Sequence, residues 1–480
     1  MYHDLDLFIG GDWRAASDGA TRGVHDPATE EQLGTIAVAT EADIDAALAA
    51  AQAGFAQWRQ TGTWERGAIL RRAADLIRAR VDEIATLMSL ETGKPLAEAR
   101  GETGAAADQF EWYAEETKRI YGQIIEARTP DARMAVIHQP VGVVAAFSAW
   151  NFPALLPARK IAAALGAGCA IIIKPAGEAP ASCAALVKAC HDAGVPPGAV
   201  NFLTGNSGMI AERLIASPIV RKVSVTGSVP VGKEILRLAA DGVKRVSMEL
   251  GGHGPVLIFE DVDPEKVAET CAATKFRNCG QVCISPTRFY VHESHYARFS
   301  ARFAEVANGL KLGRGLDEGV QMGPMANARG LATIQDLVAD AVDRGADILA
   351  GGRRPEGINR GFFFAPTVLG HVPDDARVMH EEPFGPIAPI TSFRDYDEVM
   401  ERANALPFGL AGYVFSNDLT TATRAYEDLE CGMIGVNEML LATAEAPFGG
   451  MKESGMGREG GSLGLHDYLE PKYLKMKLAR

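Results

Sequence analysis

The sequence predicts an α/β protein built on two parallel sheets, each in its own domain, with a small β element beside them. Three observations predict this. From Val141 onward, short apolar runs alternate with helical segments, as in a parallel sheet covered on both faces. A second series of the same kind follows Gly252. The chain, at 480 residues, also exceeds what one hydrophobic core usually supports, so two or three domains are expected.

Residues 41–60 and 64–91 carry helical periodicity. Thr40 is placed to cap the first helix, with Asp43 where a capping box ordinarily has Glu or Gln. Gly93 and Pro95 end the second. Strand 141–148 then leads into helix 154–165, and strand 170–174 into helix 180–193, opened by a proline. Segments 200–203, 209–215, 222–225, 231–239 and 244–248 continue the alternation. In the second series the strands are 256–259, 287–292, 367–369 and 434–436, with helices over 263–275, 294–307, 328–344 and 395–405. Residues 127–139 fit neither series and read as a strand pair projecting from the first domain; the tail 468–477 alternates weakly. Parallel sheets of this kind bind ligands at the carboxyl ends of their strands.

Bulk properties exclude several function classes. With 47% hydrophobic and 23% charged residues the composition is that of a soluble globular protein. A net charge of −13 disfavours non-specific binding to nucleic acid or to an anionic membrane. The first residues lack the basic and apolar regions of a signal peptide, and no apolar run reaches membrane-spanning length. Seven cysteines, none in a C-x-x-C pair, point to reduced thiols in a cytoplasm rather than a disulfide framework.

Chemistry concentrates in two stretches. Cys283 closes Phe276-Arg277-Asn278-Cys279-Gly280-Gln281-Val282-Cys283. A lone cysteine is more often a buried small hydrophobe. Here glycine lets a ligand approach the backbone, and an amide at a turn or helix start can lower a thiol pKa. Cys279 would begin a C-x₃-C metal site, but no second Cys/His pair completes it, so no metal is expected. Glu249 follows an apolar strand and precedes Gly251-Gly252, at a carboxyl end where a partly dry cleft raises a carboxylate toward the working pH of a general base. Asn151, in Trp150-Asn151-Phe152-Pro153, is placed to cap the helix that Pro153 opens. The run from Gly227 to Lys233 nearly fits the phosphate-binding pattern G-x-x-x-x-G-K-[ST]. Residue 234 is Glu, so the magnesium-binding hydroxyl is missing and phosphoryl transfer is disfavoured. Thr226-Gly227-Ser228 instead ends a strand and starts a helix whose amides can meet a pyrophosphate.

As a set, Glu249-Leu250-Gly251-Gly252 followed by Gly280-Gln281-Val282-Cys283 resembles the aldehyde dehydrogenase superfamily, from about Leu7 to the end of the chain. The resemblance implies a Rossmann-like dinucleotide-binding domain over 1–121 and 141–251, a thiol catalytic domain over 252–450, and an oligomerisation element over 122–140 and 466–480, hence a homodimer or homotetramer. It implies that Cys283 is the nucleophile and that Asn151, with the Cys283 backbone N–H, binds the oxyanion. Glu249 then activates the water that hydrolyses the thioester, and Lys160 and Glu459 assist proton movement. Trp150, Thr226, Gly227, Ser228, Gly232 and Leu250 fall to the dinucleotide, as do Lys174, Pro175 and Ala176, the lysine bonding the adenosine ribose. Glu382 and Phe384 match the segment at the nicotinamide end, and Phe448 a loop lining the substrate funnel.

Two departures and one match refine this. NAD-preferring members carry glutamate three residues after the lysine; here that residue is Gly177, with Glu178 one later. Losing the carboxylate removes repulsion against a 2′-phosphate, so NADP should be accepted as well as NAD. Arg159 and Arg277 stand where succinate-semialdehyde dehydrogenases carry their carboxylate-binding arginines, and both should converge on one pocket. Those enzymes have serines just before the Pro-Phe-Gly-Gly loop; here the stretch reads Ala442-Thr443-Ala444-Glu445, so either Thr443 takes that place or the pocket suits a different chain. The expected substrate is a short aldehyde with a terminal carboxylate, succinate semialdehyde first. 2-Oxoglutarate semialdehyde, glutarate semialdehyde or a broader aldehyde range are the alternatives. Glu249 favours hydrolysis over acyl transfer to coenzyme A.

Overall fold

The computed structural model describes residues 2–479. Two large sheets dominate it. In the first, the strands run across the sheet as Asp12–Arg14, Leu7–Ile9, Val200–Phe202, Ala170–Lys174, Val143–Phe147, Val220–Thr226, Arg245–Glu249 and Gly455–Met456. The central five are parallel. Both edges are antiparallel, Leu7–Ile9 against Val200–Phe202 and Gly455–Met456 against Arg245–Glu249. The second sheet runs Asp347–Ala350, Thr367–Gly370, Ile387–Phe393, Pro286–His292, Gly254–Ile258, Ala411–Phe415 and Met433–Val436, and only its first pairing is antiparallel. The sheets are therefore mixed at their edges rather than wholly parallel. A strand running backwards can close an edge without a crossover helix.

A third, antiparallel sheet joins Leu469–Lys477, Ala132–Pro140 and Gln123–Ile125. The strand pair expected over 127–139 thus spans 123–140, and the tail supplies its third strand.

Helix boundaries follow local chemistry. Thr40 and Asp43 form a reciprocal capping box at Glu41–Trp58, Asp filling the place of Glu because its shorter arm still reaches the Thr40 amide, 3.0 Å away. The helix expected over 64–91 is two, Thr63–Ala79 and Val81–Thr92, broken at Arg80. Gly93, at φ +73°, ends the second. Helix Leu96–Glu116, 21 residues long, is absent from the sequence reading. It packs on Thr63–Ala79 and on Leu155–Ala167, burying Ala99, Ala106, Ala107 and Phe110. Among the described residues no helix is long and apolar enough to cross a membrane.

The register of the first sheet positions the site. Phe147 pairs with Lys174 and with Val225, and Thr226 with Glu249. The carboxyl ends of four strands therefore lie side by side. Successive strands run outward in opposite directions from the Val143–Phe147/Val220–Thr226 boundary, which opens the crevice such sheets use for ligands.

Candidate active site

Each strand end delivers a side chain or loop. Trp150 and Asn151 follow Val143–Phe147, Lys174 ends its strand, Thr226 and Glu249 end theirs. The chain then turns through Gly251-Gly252 into the second sheet. A methyl group on Gly252 would lie 3.0 Å from the Cys283 carbonyl oxygen, so these glycines let the carboxyl ends of one sheet approach the loop feeding Pro286–His292 in the other.

The Cys283 loop is tightly determined. Asn278 and Cys279 adopt φ of +50° and +56°, and Gly280 +71°. A methyl group on Gly280 would overlap the Gly385 carbonyl, so glycine is required there twice over. The Asn278 amide donates to the carbonyl oxygens of Asn151 (3.0 Å) and Gln281 (3.1 Å), and the Asn151 amide donates to Gln281 at 3.1 Å. One Asn151 N–H is thereby committed and the other left for a ligand. Asn151 does not cap the following helix, which begins at Leu155; its first amides, Ala154 and Leu155, are taken by Glu102 at 2.9 and 3.1 Å.

The Cys283 thiol is pushed up to about 12, first by burial and then by the carboxylates of Glu382 and Glu249; Arg159 and the Ile284 amide oppose this. The loop amide therefore does not leave the thiol acidic, contrary to the sequence expectation. Desolvation and two acids outweigh it.

Glu249 is buried and neither carboxylate oxygen has a partner among the described residues. Its pKa lies well above the usual carboxylate range because of burial and the nearby Glu459, while Lys160, Arg159 and Arg458 act the other way. Lys160 is ion-paired with Glu459 at 2.5 Å and donates to Ser224 at 3.0 Å. Phe448 and Glu459 exchange backbone hydrogen bonds of 2.6 and 2.8 Å, which fixes Glu459 beside Glu249. A carboxyl whose affinity for a proton is raised, next to a second carboxylate–ammonium pair, can accept a proton and hand it on.

The family model described as "Aldehyde dehydrogenase family" matches residues 13–474. The chain belongs to the aldehyde dehydrogenase family. It is 44% identical over 467 residues to a glutarate-semialdehyde dehydrogenase of Pseudomonas putida, covering 97% of this chain and 96% of that one. Identity to the succinate-semialdehyde dehydrogenase [NADP(+)] of Escherichia coli is 43% over 477 residues, 98% of both chains. The crystal structure of an E. coli NADP dependent enzyme superposes with a TM-score of 0.97 at 42% identity, covering 99% of this chain and 98% of that one. The protein is an NAD(P)-dependent aldehyde dehydrogenase, oxidising an aldehyde to its acid.

This aldehyde dehydrogenase has a crevice that fits a dinucleotide. The buried Thr226 hydroxyl has no partner among the described residues, and helix Val229–Ala240 begins at Ser228 without a side-chain cap, leaving its first amides free. Gly227 donates to the Glu249 carbonyl at 3.1 Å, and a methyl group on Gly232 would meet Leu250 at 2.5 Å, so Gly232 sets helix against loop. Lys174 donates to Ser207 at 2.5 Å, and Pro175, Ala176, Gly177 and Glu178 carry the chain past it. At the other end Trp150 meets Phe384 edge-on, centroids 5.6 Å apart, and Glu382 accepts from the Gly252 amide at 3.3 Å.

On the substrate side the structure separates the two arginines. Arg159 stacks on Phe448, 3.9 Å from its ring centre, and lines a cavity of about 870 Å³ with Thr443, Leu155 and Trp112. Arg277 lies 5.5 Å from the Phe152 ring centre and lines a second, small cavity with Val282, Ser285 and Tyr413. The two cavities share Ala442. Sequence reasoning missed Trp112, whose buried indole N–H has no partner among the described residues, because its helix went unread. It also missed Lys94 and Glu102 beneath Asn151, and Arg22, which lines a cavity with Gly177.

Proposed function

We propose that this aldehyde dehydrogenase oxidises a short aldehyde bearing a terminal carboxylate, succinate semialdehyde first, to the diacid. Arg159 carries this reading. Its guanidinium is buried, makes no ion pair or hydrogen bond among the described residues, and faces a cavity whose other arginines are neutralised, Arg71 by Glu111 and Glu115, Arg119 by Glu116. A buried unpaired charge is costly, and a substrate carboxylate relieves it through a bidentate, charge-assisted contact. The free Trp112 N–H and the Thr443 hydroxyl add neutral donors on the same wall, and Arg277 stands on the adjoining one. Glutarate semialdehyde, one methylene longer, is the second reading, supported by the relative that bears its name.

In this reading Cys283 gives its thiol proton to Glu249, the thiolate attacks the carbonyl carbon, and the uncommitted Asn151 N–H with the Cys283 backbone N–H takes the developing oxyanion. NAD(P)+, when bound, supplies the hydride acceptor. Glu249 takes a proton from the water that releases the acid from the sulfur and passes it toward Glu459 and Lys160. Gly177 brings no carboxylate to the ribose 2′ position, which supports acceptance of NADP. We propose for it the domain division expected from the sequence and a cytoplasmic location. Exposed Ile124, Tyr473 and Leu474 on the three-stranded sheet support its use in a homodimer or homotetramer.

The test is kinetic. Arg159→Leu and Arg277→Ala should raise KM for succinate semialdehyde about 10- to 100-fold, the worth of a charge-assisted hydrogen bond, and change KM for butanal far less. Equal effects on both aldehydes overturn the carboxylate assignment.

A further inference from the structure

The cavity beside Lys174 holds a guanidinium that the family motif does not account for. Arg22 lies on the hairpin strand Thr21–His25, paired with Gln32–Ala37. Its side chain reaches across to the loop after Lys174, where a methyl group added to Gly177 would overlap the guanidinium outright. Arg22 and any side chain at 177 therefore exclude one another in this arrangement. Arg22 makes no hydrogen bond or ion pair among the described residues, although Glu178 lines the same cavity of about 460 Å³ with it, along with Gly177, Ser207 and His25. Ser207 is the residue that receives the Lys174 ammonium, at 2.5 Å. The corner thus presents an unpaired guanidinium lying where a Gly177 side chain would be, and a lysine–serine pair close by. Burial lowers the pKa of Lys174 to about 8; Glu178 opposes this and the positive charge of Arg22 adds to it.

The geometry points to Arg22 as the residue that makes NADP the preferred cofactor, by binding the 2′-phosphate with a guanidinium that the missing side chain at Gly177 lets into this corner. This rests on the reading that Lys174 holds the adenosine ribose. A phosphate dianion has the oxygens for a two-pronged contact with a guanidinium, and arginine suits it better than lysine because its donors are fixed in one plane. Where a carboxylate at 177 would repel that dianion, this chain has put a cation from a different part of the sequence. Two acids line the cavity, Glu178 and Glu91, and Glu91 is held by the Tyr2 hydroxyl and the Ala181 amide.

The experiment is calorimetric titration of the full-length enzyme with 2′,5′-ADP and with 5′-ADP, alongside kcat/KM for NADP+ and NAD+. The wild type should bind 2′,5′-ADP more tightly than 5′-ADP and favour NADP+. Arg22→Gln should lower that discrimination about 10- to 100-fold in both measurements, and Arg22→Lys should restore part of it. Gly177→Glu, which evicts the guanidinium and adds a carboxylate, should invert the preference. A wild type that favours 2′,5′-ADP while Arg22→Gln leaves the ratio within about twofold overturns the role of Arg22 alone. A wild type with no such discrimination overturns the NADP reading with it.

Discussion

The ammonium of Lys94 donates to the backbone carbonyl of Asn151 at 2.9 Å, and its other partner, Glu102, holds the amides of Ala154 and Leu155. One fully buried ion pair thereby fixes both ends of the turn that aims the Asn151 amide. Its use is geometric: a buried pair adds little net stability, but removing one partner strands the other.

Lys94→Met should therefore destabilise the fold by about 3–5 kcal/mol, measured by denaturant unfolding, and lower kcat through a misplaced Asn151. Lys94→Met combined with Glu102→Leu should recover stability and leave kcat low. A single variant with wild-type kcat would mean that the Asn278 contacts alone hold Asn151.

The thiol of Cys283, held up to about 12, should react with iodoacetamide in the enzyme without ligands at a rate that climbs about tenfold per pH unit between pH 7 and 10, because only the thiolate attacks. Arg159 favours the thiolate, so Arg159→Leu should slow alkylation at every pH in that range. A plateau near neutral pH would show that the thiol is already ionised.

Burial raises Glu382 from 4.5 to about 8. The unfolded chain releases this proton near pH 4.5, whereas the folded protein keeps it to about 8, so stability falls as pH rises between the two, by at most about 1.4 kcal/mol per unit. Glu382→Gln should flatten that decline in denaturation measured from pH 5 to 8. Parallel profiles would mean that Glu382 is ionised in the fold.

Gly280→Ala should displace the Glu382–Phe384 segment, since the new methyl group overlaps the Gly385 carbonyl at a φ of +71°. Fluorescence titration should show weakened nicotinamide dinucleotide binding, with a loss of stability exceeding about 1 kcal/mol. Normal binding would show that the Cys283 loop and that segment move independently.

The parts of this protein that the sequence disclosed are those where local chemistry decides. Ala170–Lys174 agrees residue for residue with its apolar run, and Glu249 lies at a strand end because valine and methionine precede it and glycines follow. Helix Leu96–Glu116 was illegible because Gly101 and Gly104 weaken its pattern and its buried face is largely alanine. Strand Ile387–Phe393 hid behind Pro389, a residue that argues against a central strand. At Arg80 no proline or glycine marks the break; one arginine ends a helix and starts the next. Arg22, Lys94 and Trp112 act across tertiary contacts that no local pattern encodes, and the raised Cys283 thiol reflects burial that a motif cannot register.

Lys160 and Glu459 stand 299 residues apart in the chain. Glu459 arrives with the segment that also adds Gly455–Met456 to the edge of the first sheet. During synthesis the nucleotide crevice and the cysteine loop can both form while the ammonium of Lys160 still lacks its counter-ion. The ribosome must deliver the chain through Glu459 before that pairing closes, so a chain truncated upstream of Gly455 keeps the five parallel strands of the crevice and a lysine buried without its acid.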